Sequence, residues 1–140
     1  MIYTSRFSNP TLKSGQYTAI RISVGMPRWA IGYEITGELR DLMPFGLRNV
    51  EDAKSFRPLY YARLERIGVG KIRKQLENLE ALGQPVVLLC FEDIRQGDWN
   101  WCHRRIFADW WQAKTGDIIE ELTDPSPVKR VKRNVMDSLF

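Results

Sequence analysis

The sequence predicts an α/β fold, a compact three-layer α/β sandwich with a largely parallel central sheet. The main observation is the continuous apolar run at residues 86–89, because a strand without alternating polarity is buried on both faces, as in the centre of a parallel sheet. A segment with apolar residues at helical spacing, residues 69–82, precedes this run, and a second helical segment follows it. Helix, strand and helix in this order are typical of the βαβ units of α/β proteins.

The size and charge of the chain indicate one domain with a charged extension. Its 140 residues suffice for one core, and a hydrophobic content of 44% is ordinary for a globular protein. We expect a single α/β domain at residues 1–123, then a proline-containing linker and a basic C-terminal tail at residues 124–140. Four positive charges at residues 128–133 match the formal net charge of +4, so the remaining chain is close to neutral. A basic tail indicates nucleic-acid binding less strongly than a basic body with interleaved aromatic residues.

The sequence also bears on location. No apolar run approaches the length of a membrane span, and the first residues lack the order of a signal peptide. We therefore expect no membrane partner and a cytoplasmic protein. Cys90 and Cys102 are too few for a disulfide framework, and a reducing compartment would keep both as thiols.

The N-terminal part reads as two strands and an undetermined segment. Residues 1–4 are apolar and favour a first strand, and Pro10 biases Asn9 away from helix, so the chain turns there. Residues 17–24 alternate and are rich in β-branched side chains, which predicts a second strand. Residues 34–42 form either a short helix or a structured loop.

Two helices are predicted before the apolar run. Asn49 and Asp52 are both suitable N-caps for a helix in the fifties, and Pro58 favours a start close to itself, since proline fits a first turn. Gly68 breaks the pattern, and Gly83 ends the second helix. One more strand is expected after the last helix, at residues 117–122.

Five reactive or charged side chains meet at the connection after the apolar run. Cys90 ends the strand, Glu92 follows it, and Cys102, His103 and Arg104 open the next helix. Ligands of open α/β sheets bind beyond the carboxyl ends of strands, and a helix N-terminus attracts anions. A forked guanidinium suits phosphate or carboxylate, and the helix end together with the histidine would lower the pKa of the Cys102 thiol. This connection is therefore the predicted site.

Each of these residues also has a structural interpretation. Cys90 and Cys102 are the kind of small residue that packs in cores, and His103 suits a structural hydrogen bond as well as catalysis. Glu92 favours function, because a carboxylate after a buried strand must be solvated, paired or functional.

Several familiar sites are excluded or disfavoured by spacing. Arg95 is one position too close to Cys90 for a cysteine phosphatase loop, and the loop lacks the required glycines. A structural zinc site would use Cys90, Cys102, His103 and Glu92 as ligands. It is disfavoured because there is no C-x-x-C pair and because adjacent Cys102 and His103 do not easily turn to one ion. Serine-hydrolase, dinucleotide and P-loop patterns are absent. No metal is therefore predicted, and the cofactor is unknown.

The segments IYTS-RFSN, LLCFE and WCHR resemble the YeaO-like family, domain of unknown function 488. Members resemble one another in a strand ending C-x-E and a helix opening C-H-R, a pattern matched at Cys90, Glu92 and 102–104. The family's Ser/Arg/Asn cluster after the first strand is matched by Ser5, Arg6, Ser8 and Asn9. The resemblance implies a compact α/β fold and a shared polar site, and it implies no particular reaction.

The second strand departs from the family pattern. Many members carry an Asp-Val-Arg type sequence there, and only Arg21 and Ser23 stand in for it.

The leading hypothesis is an enzyme or ligand-binding domain for a phosphorylated or nucleotide-like small molecule. Glu92 would be the general base or nucleophile, and His103 its orienting partner or the acid. The anion would lie at the N-terminus of the Cys102 helix, and Trp99 and Trp101 would form one wall of a pocket for a planar ring. The predicted ligand-binding residues are Arg6, Ser8, Asn9, Cys90, Cys102 and Arg104.

Two other hypotheses remain open. The first is a non-enzymatic module that binds nucleic acid or a protein through the basic tail. The second is a thiol-redox role, which requires the sulfurs of Cys90 and Cys102 to be close in space. The oligomeric state is not predicted.

Overall fold

The computed structural model describes residues 1–129 and contains a five-stranded sheet in the order β3-β2-β4-β1-β5. The strands are β1 Ile2–Arg6, β2 Thr18–Arg21, β3 Gly37–Glu38, β4 Val86–Cys90 and β5 Glu120–Glu121. Every strand pair is parallel. The predicted α/β fold with a parallel sheet is confirmed.

Within the described residues, three α-helices accompany the sheet. They are α1 Ala53–Ile67, α2 Val69–Glu80 and α3 His103–Thr115. Short 3-10 helices cover Pro10–Ser14, Arg40–Leu42, Ile94–Gln96 and Asp98–Asn100. Within residues 1–129, none of the helices is both long enough and apolar enough to cross a membrane.

The apolar run forms β4, the central strand, and all five of its residues are buried. Its neighbours are β1 and β2, with Arg6 opposite Cys90 and Arg21 opposite Leu89. Because the three strands are parallel, their carboxyl ends meet at one edge of the sheet. The connection from β4 to α3 begins at that edge.

The two faces of the sheet are covered differently. Val86 and Leu88 belong to a core cluster that contains residues of α1, α2 and α3. Val87 and Leu89 face the other way and pack with Leu12 and the partly buried Ile31. One outer layer of the sandwich is therefore helical, and the other consists of the first 3-10 helix and the irregular segment 24–36.

One predicted boundary differs from the structure, and the structure defines one segment that the sequence left undetermined. Asp52 caps α1, accepting a hydrogen bond from the Ser55 amide at 2.9 Å, so the helix begins about one turn before Pro58. The predicted start close to Pro58 is wrong, because the cap outweighs the one backbone hydrogen bond that the proline removes. The undetermined segment 34–42 contains β3, whose two residues are held by pairing with β2.

The chain after β5 is attached to the body. Arg95 donates hydrogen bonds to the carbonyl oxygens of Asp124, at 3.0 Å, and Ser126, at 2.8 Å. The Gln96 side chain donates to the Lys129 carbonyl oxygen at 2.9 Å. Contacts thus continue past residue 123, the predicted end of the domain, as far as residue 129. The rest of the predicted basic tail, 130–140, lies outside the described residues.

Candidate functional site

A buried cluster of two sulfurs and one imidazole lies at the carboxyl end of β4. Cys90 is the last residue of β4, Cys102 is the N-cap of α3, and His103 is its first residue. His103 Nδ1 is 3.5 Å from Cys90 Sγ and 3.8 Å from Cys102 Sγ, and the three atoms lie within 4.8 Å of one another. The expectation that Cys102 and His103 do not easily turn to one point is wrong, because Cys102 has extended backbone and only His103 is helical.

A backbone carbonyl fixes the orientation of the histidine ring. His103 Nε2 is 2.8 Å from the carbonyl oxygen of Ile22, and a carbonyl only accepts hydrogen bonds, so Nε2 carries the hydrogen. The ring of Tyr60 packs edge-on against the imidazole, with centroids 5.7 Å apart. Nδ1 is thereby directed at the sulfurs.

Glu92 borders this cluster. Its Oε2 accepts a hydrogen bond from Cys90 Sγ at 3.2 Å. Burial of the carboxylate, and next the neighbouring Cys102 thiol, raise the pKa of Glu92 above its ordinary value. The carboxyl group is therefore a stronger base than a solvated glutamate.

The two thiols titrate as a pair. Burial and then the neighbouring Cys102 raise the pKa of Cys90 far above its ordinary value. Burial also opposes ionisation of Cys102, but hydrogen bonding with Cys90, the neighbouring His103 and the charge of Arg104 outweigh it and lower the pKa of Cys102. Cys102 is therefore the more acidic of the two thiols.

Arg104 forms an ion pair within the protein. Its side chain is fully buried, and it donates to the Glu121 carboxylate from Nε at 3.0 Å and from Nη2 at 2.7 Å. The predicted forked donor for an external anion thus has an internal carboxylate as its partner. Nη1 has no hydrogen-bond partner among residues 1–129. The guanidinium acts on the thiols as a buried positive charge.

The predicted residues of the N-terminal loop anchor the C-terminal segment. Arg6 Nε donates to Asp124 Oδ2 at 2.6 Å. The buried Asn9 accepts from the Thr11 amide at 3.1 Å and donates to the Thr123 carbonyl oxygen at 3.2 Å. Ser8 is exposed. Arg6, Ser8 and Asn9 line neither of the two cavities that meet at the sulfur and imidazole cluster.

Two cavities meet at the cluster. The larger, of about 640 Å³, is lined by Cys90, Glu92, His103 and parts of the segments 23–28 and 44–48. The smaller, of about 320 Å³, is lined by Glu92, Cys102, His103 and the predicted wall residues Trp99 and Trp101. Glu92 and His103 belong to both linings, as do Pro44 and Arg48.

Sequence reasoning missed two arginines of the larger cavity. Arg28 and Arg48 line it and are exposed. Within residues 1–129, neither guanidinium makes an ion pair or a hydrogen bond. Both lie in irregular segments, where only the concentration of glycine, proline and arginine in residues 25–49 could have pointed to them.

An aromatic surface continues from this cavity. Phe91 lines it and is 36% exposed, and the ring of Trp29 lies 6.0 Å from the Phe91 ring. The cavity therefore combines cationic groups, a carboxylate and an accessible aromatic face.

No protein-family model, curated protein or solved structure matches the chain. The resemblance to the YeaO-like family stays a prediction that rests on the matched motifs.

Proposed function

We propose that the protein binds a phosphorylated or nucleotide-like small molecule in the larger cavity and acts on it as an enzyme. The observation that carries the proposal is a pair of guanidiniums, Arg28 and Arg48, that have no partner within residues 1–129 and lie on a cavity that Glu92 also lines. Guanidinium groups bind phosphate through two parallel hydrogen bonds. A volume of about 640 Å³ is in the range of small-molecule sites.

The aromatic surface supports a ligand with a planar ring. Phe91 offers an exposed face at the cavity, and Trp99 borders the neighbouring one. Stacking of a base on an aromatic side chain is tolerant of ring identity and contributes about 1–3 kcal/mol. A nucleotide would place its ring here and its phosphate at the arginines.

Glu92 is the general base of the proposed reaction. Its raised pKa brings it closer to the range in which a base is effective near neutral pH. It would take the proton of a water molecule or hydroxyl group whose oxygen attacks the phosphorus atom of the bound compound. The bond from phosphorus to the leaving oxygen breaks in this step, and that oxygen takes up a proton from solvent. His103 positions the neighbouring groups, because its Nε2 is held by Ile22 and its Nδ1 faces the sulfurs.

A thermal-shift screen with nucleoside phosphates, sugar phosphates and inorganic phosphate tests binding. A ligand at roughly a hundred times its dissociation constant adds about 2.7 kcal/mol of stability. We expect one phosphorylated class to raise the melting temperature, and Arg28→Ala and Arg48→Ala to remove the shift. Arg66→Ala, at the far end of α1, is the matched control and keeps it.

Turnover of the bound class tests the enzyme part of the proposal. Glu92→Gln should still bind the ligand and lose turnover. The proposal fails if no phosphorylated compound raises the melting temperature of the wild type. It also fails if the melting temperature of the Arg28→Ala/Arg48→Ala double variant rises as much as that of the wild type.

The alternative proposal is nucleic-acid binding through the basic tail. Its support is the concentration of four positive charges at residues 128–133. Deletion of residues 128–140 should abolish retention on nucleic acid at low salt while the melting temperature stays within a few degrees. Absence of retention in the full chain would eliminate this alternative.

We place the protein in the cytoplasm as part of the proposal. Cys90 and Cys102 are unlinked although their sulfurs are close, which suits a reducing compartment.

A further inference from the structure

We propose that Cys90, Cys102 and His103 form a three-ligand site for Zn²⁺ or a similar divalent ion that binds thiolate and imidazole. The ligand atoms are the two sulfurs and His103 Nδ1. The proposal does not rest on phosphate binding, since the arginines of the larger cavity contribute no ligand.

The distances fit a tetrahedral ion. Zinc binds sulfur at about 2.3 Å and imidazole nitrogen at about 2.0–2.1 Å, which places sulfur and nitrogen about 3.6 Å apart at tetrahedral angles. The observed distances from Nδ1 to Cys90 Sγ and Cys102 Sγ are 3.5 and 3.8 Å. The side chains thus already have nearly the spacing that an ion would impose.

The histidine is oriented as a metal ligand requires. A metal-bound imidazole usually donates its other N–H to a carbonyl or carboxylate, which fixes the tautomer and directs the free lone pair at the ion. The hydrogen bond from Nε2 to the Ile22 carbonyl oxygen supplies this contact and leaves Nδ1 for the metal. The imidazole therefore needs no rearrangement to bind.

The charges balance when an ion is bound. The two thiols release their protons on binding, and two thiolates neutralise a divalent ion. The buried Arg104 is already neutralised by Glu121 at 2.7 Å. The ion and the two thiolates are then partners, as are Arg104 and Glu121, and such pairing is the condition for a stable buried ionic site.

The fourth coordination position of the ion is left open, which is typical of a catalytic site. Catalytic zinc sites have three protein ligands and an open position, whereas structural sites have four protein ligands. The cavity linings show that Cys90 and Cys102 border the two cavities, with His103 in both. Glu92, hydrogen-bonded to Cys90 at 3.2 Å, lies where it can accept a proton from a water molecule in that position.

Titration with Co²⁺ tests the site directly. The full chain, freed of metal by a chelator and kept reduced by a phosphine, should bind one Co²⁺ and develop the near-ultraviolet charge-transfer band of a cobalt–thiolate bond. The visible bands should be those of tetrahedral cobalt, and Zn²⁺ should displace the ion. Cys102→Ser and His103→Ala should each lose the bands or weaken binding at least tenfold.

Controls separate the site from adventitious binding and misfolding. Asp109→Asn, which changes an exposed carboxylate, should bind Co²⁺ as the wild type does. Circular dichroism checks that each variant is folded, and the wild-type stoichiometry stands even if a variant unfolds. Absence of a charge-transfer band in the reduced wild type, or an equal band in the Cys90→Ser/Cys102→Ser variant, overturns the proposal. Either result leaves the phosphate screen unaffected, so the two proposals fail separately.

Discussion

The Nε2 atom of His103 donates a hydrogen bond to the carbonyl oxygen of Ile22 at 2.8 Å. This contact joins the first residue of α3 to the residue that follows β2. The amide of Ile22 donates to the Leu89 carbonyl oxygen at 3.0 Å, so both of its backbone groups are paired. The orientation of the imidazole therefore depends on the docking of α3 against β2 and β4.

Replacement of the histidine should expose the cost of an unpaired carbonyl. Ile22 is fully buried, so His103→Ala leaves its carbonyl oxygen without a donor. We expect a loss of about 1–3 kcal/mol in the free energy of unfolding, measured by urea titration of the metal-free protein. His103→Gln retains an N–H donor and should lose less. Equal midpoints for wild type and His103→Ala would contradict the structural role of this contact.

The Arg104 and Glu121 pair should respond unequally to its two single replacements. Glu121→Gln leaves a fully buried guanidinium without its counter-charge, and removing one partner of a buried pair costs about 3–5 kcal/mol. Arg104→Met leaves a carboxylate that is 26% exposed and partly solvated, so we expect a smaller loss. Urea unfolding of both variants and of the double variant checks the order. A larger loss for Arg104→Met would contradict it.

Acid should destabilise the attachment of the C-terminal segment. The Arg95 side chain lowers the pKa of Asp93, and although burial opposes ionisation of Asp124, its hydrogen bond with Arg6 outweighs this and lowers the pKa of Asp124. An aspartate whose pKa is lower in the folded state stabilises the protein at pH values above its pKa in the unfolded state. This stabilisation is lost as the pH falls through the pKa of the folded state. We expect the free energy of unfolding to decrease as the pH falls below 3.8, the ordinary pKa of an aspartate.

Asp124→Asn should make this loss shallower. Asp109 provides the control. It forms an exposed ion pair with Arg57, so Asp109→Asn removes a carboxylate without breaking a buried ion pair. Urea unfolding at several pH values gives the slope. An unchanged slope in Asp124→Asn would show that this contact contributes nothing to acid stability.

Mild oxidation should join the two cysteines within one chain. The sulfurs of Cys90 and Cys102 lie within 4.8 Å of each other, and a disulfide brings them to about 2.05 Å. Diamide, which takes up the two hydrogen atoms, should give a monomer whose mass is lower by those atoms. Bound Zn²⁺ should slow the reaction because it holds both thiolates. Exclusively intermolecular products would contradict the proximity of the sulfurs.

The central strand and its motif were predictable because their signal is local. The apolar run at residues 86–89 contains the information that β4 is buried on both faces. The N-terminal position of Cys102 and His103 on α3 followed from the same stretch of sequence. A strand of two residues such as β3 has no periodicity of its own, so only its partner strand defines it.

The partners of the site residues were not predictable because they come from distant segments. The acceptor of His103 is a backbone oxygen at Ile22, and a backbone atom leaves no trace in residue type. Arg104 was expected to bind an external anion, since its sequence neighbours do not reveal that β5 brings Glu121 to it. Arg28 and Arg48 reach the cavity through irregular chain, whose path local propensity does not determine.

Both edges of the sheet are strands of only two residues, β3 and β5. An edge strand offers unpaired backbone groups to a strand of another molecule, and very short edges are one way in which proteins avoid aggregation. The longer strands, β1, β2 and β4, are all interior. Self-association of this fold would therefore proceed through side-chain surfaces, and continuous pairing of sheets between molecules is disfavoured by the order of the strands.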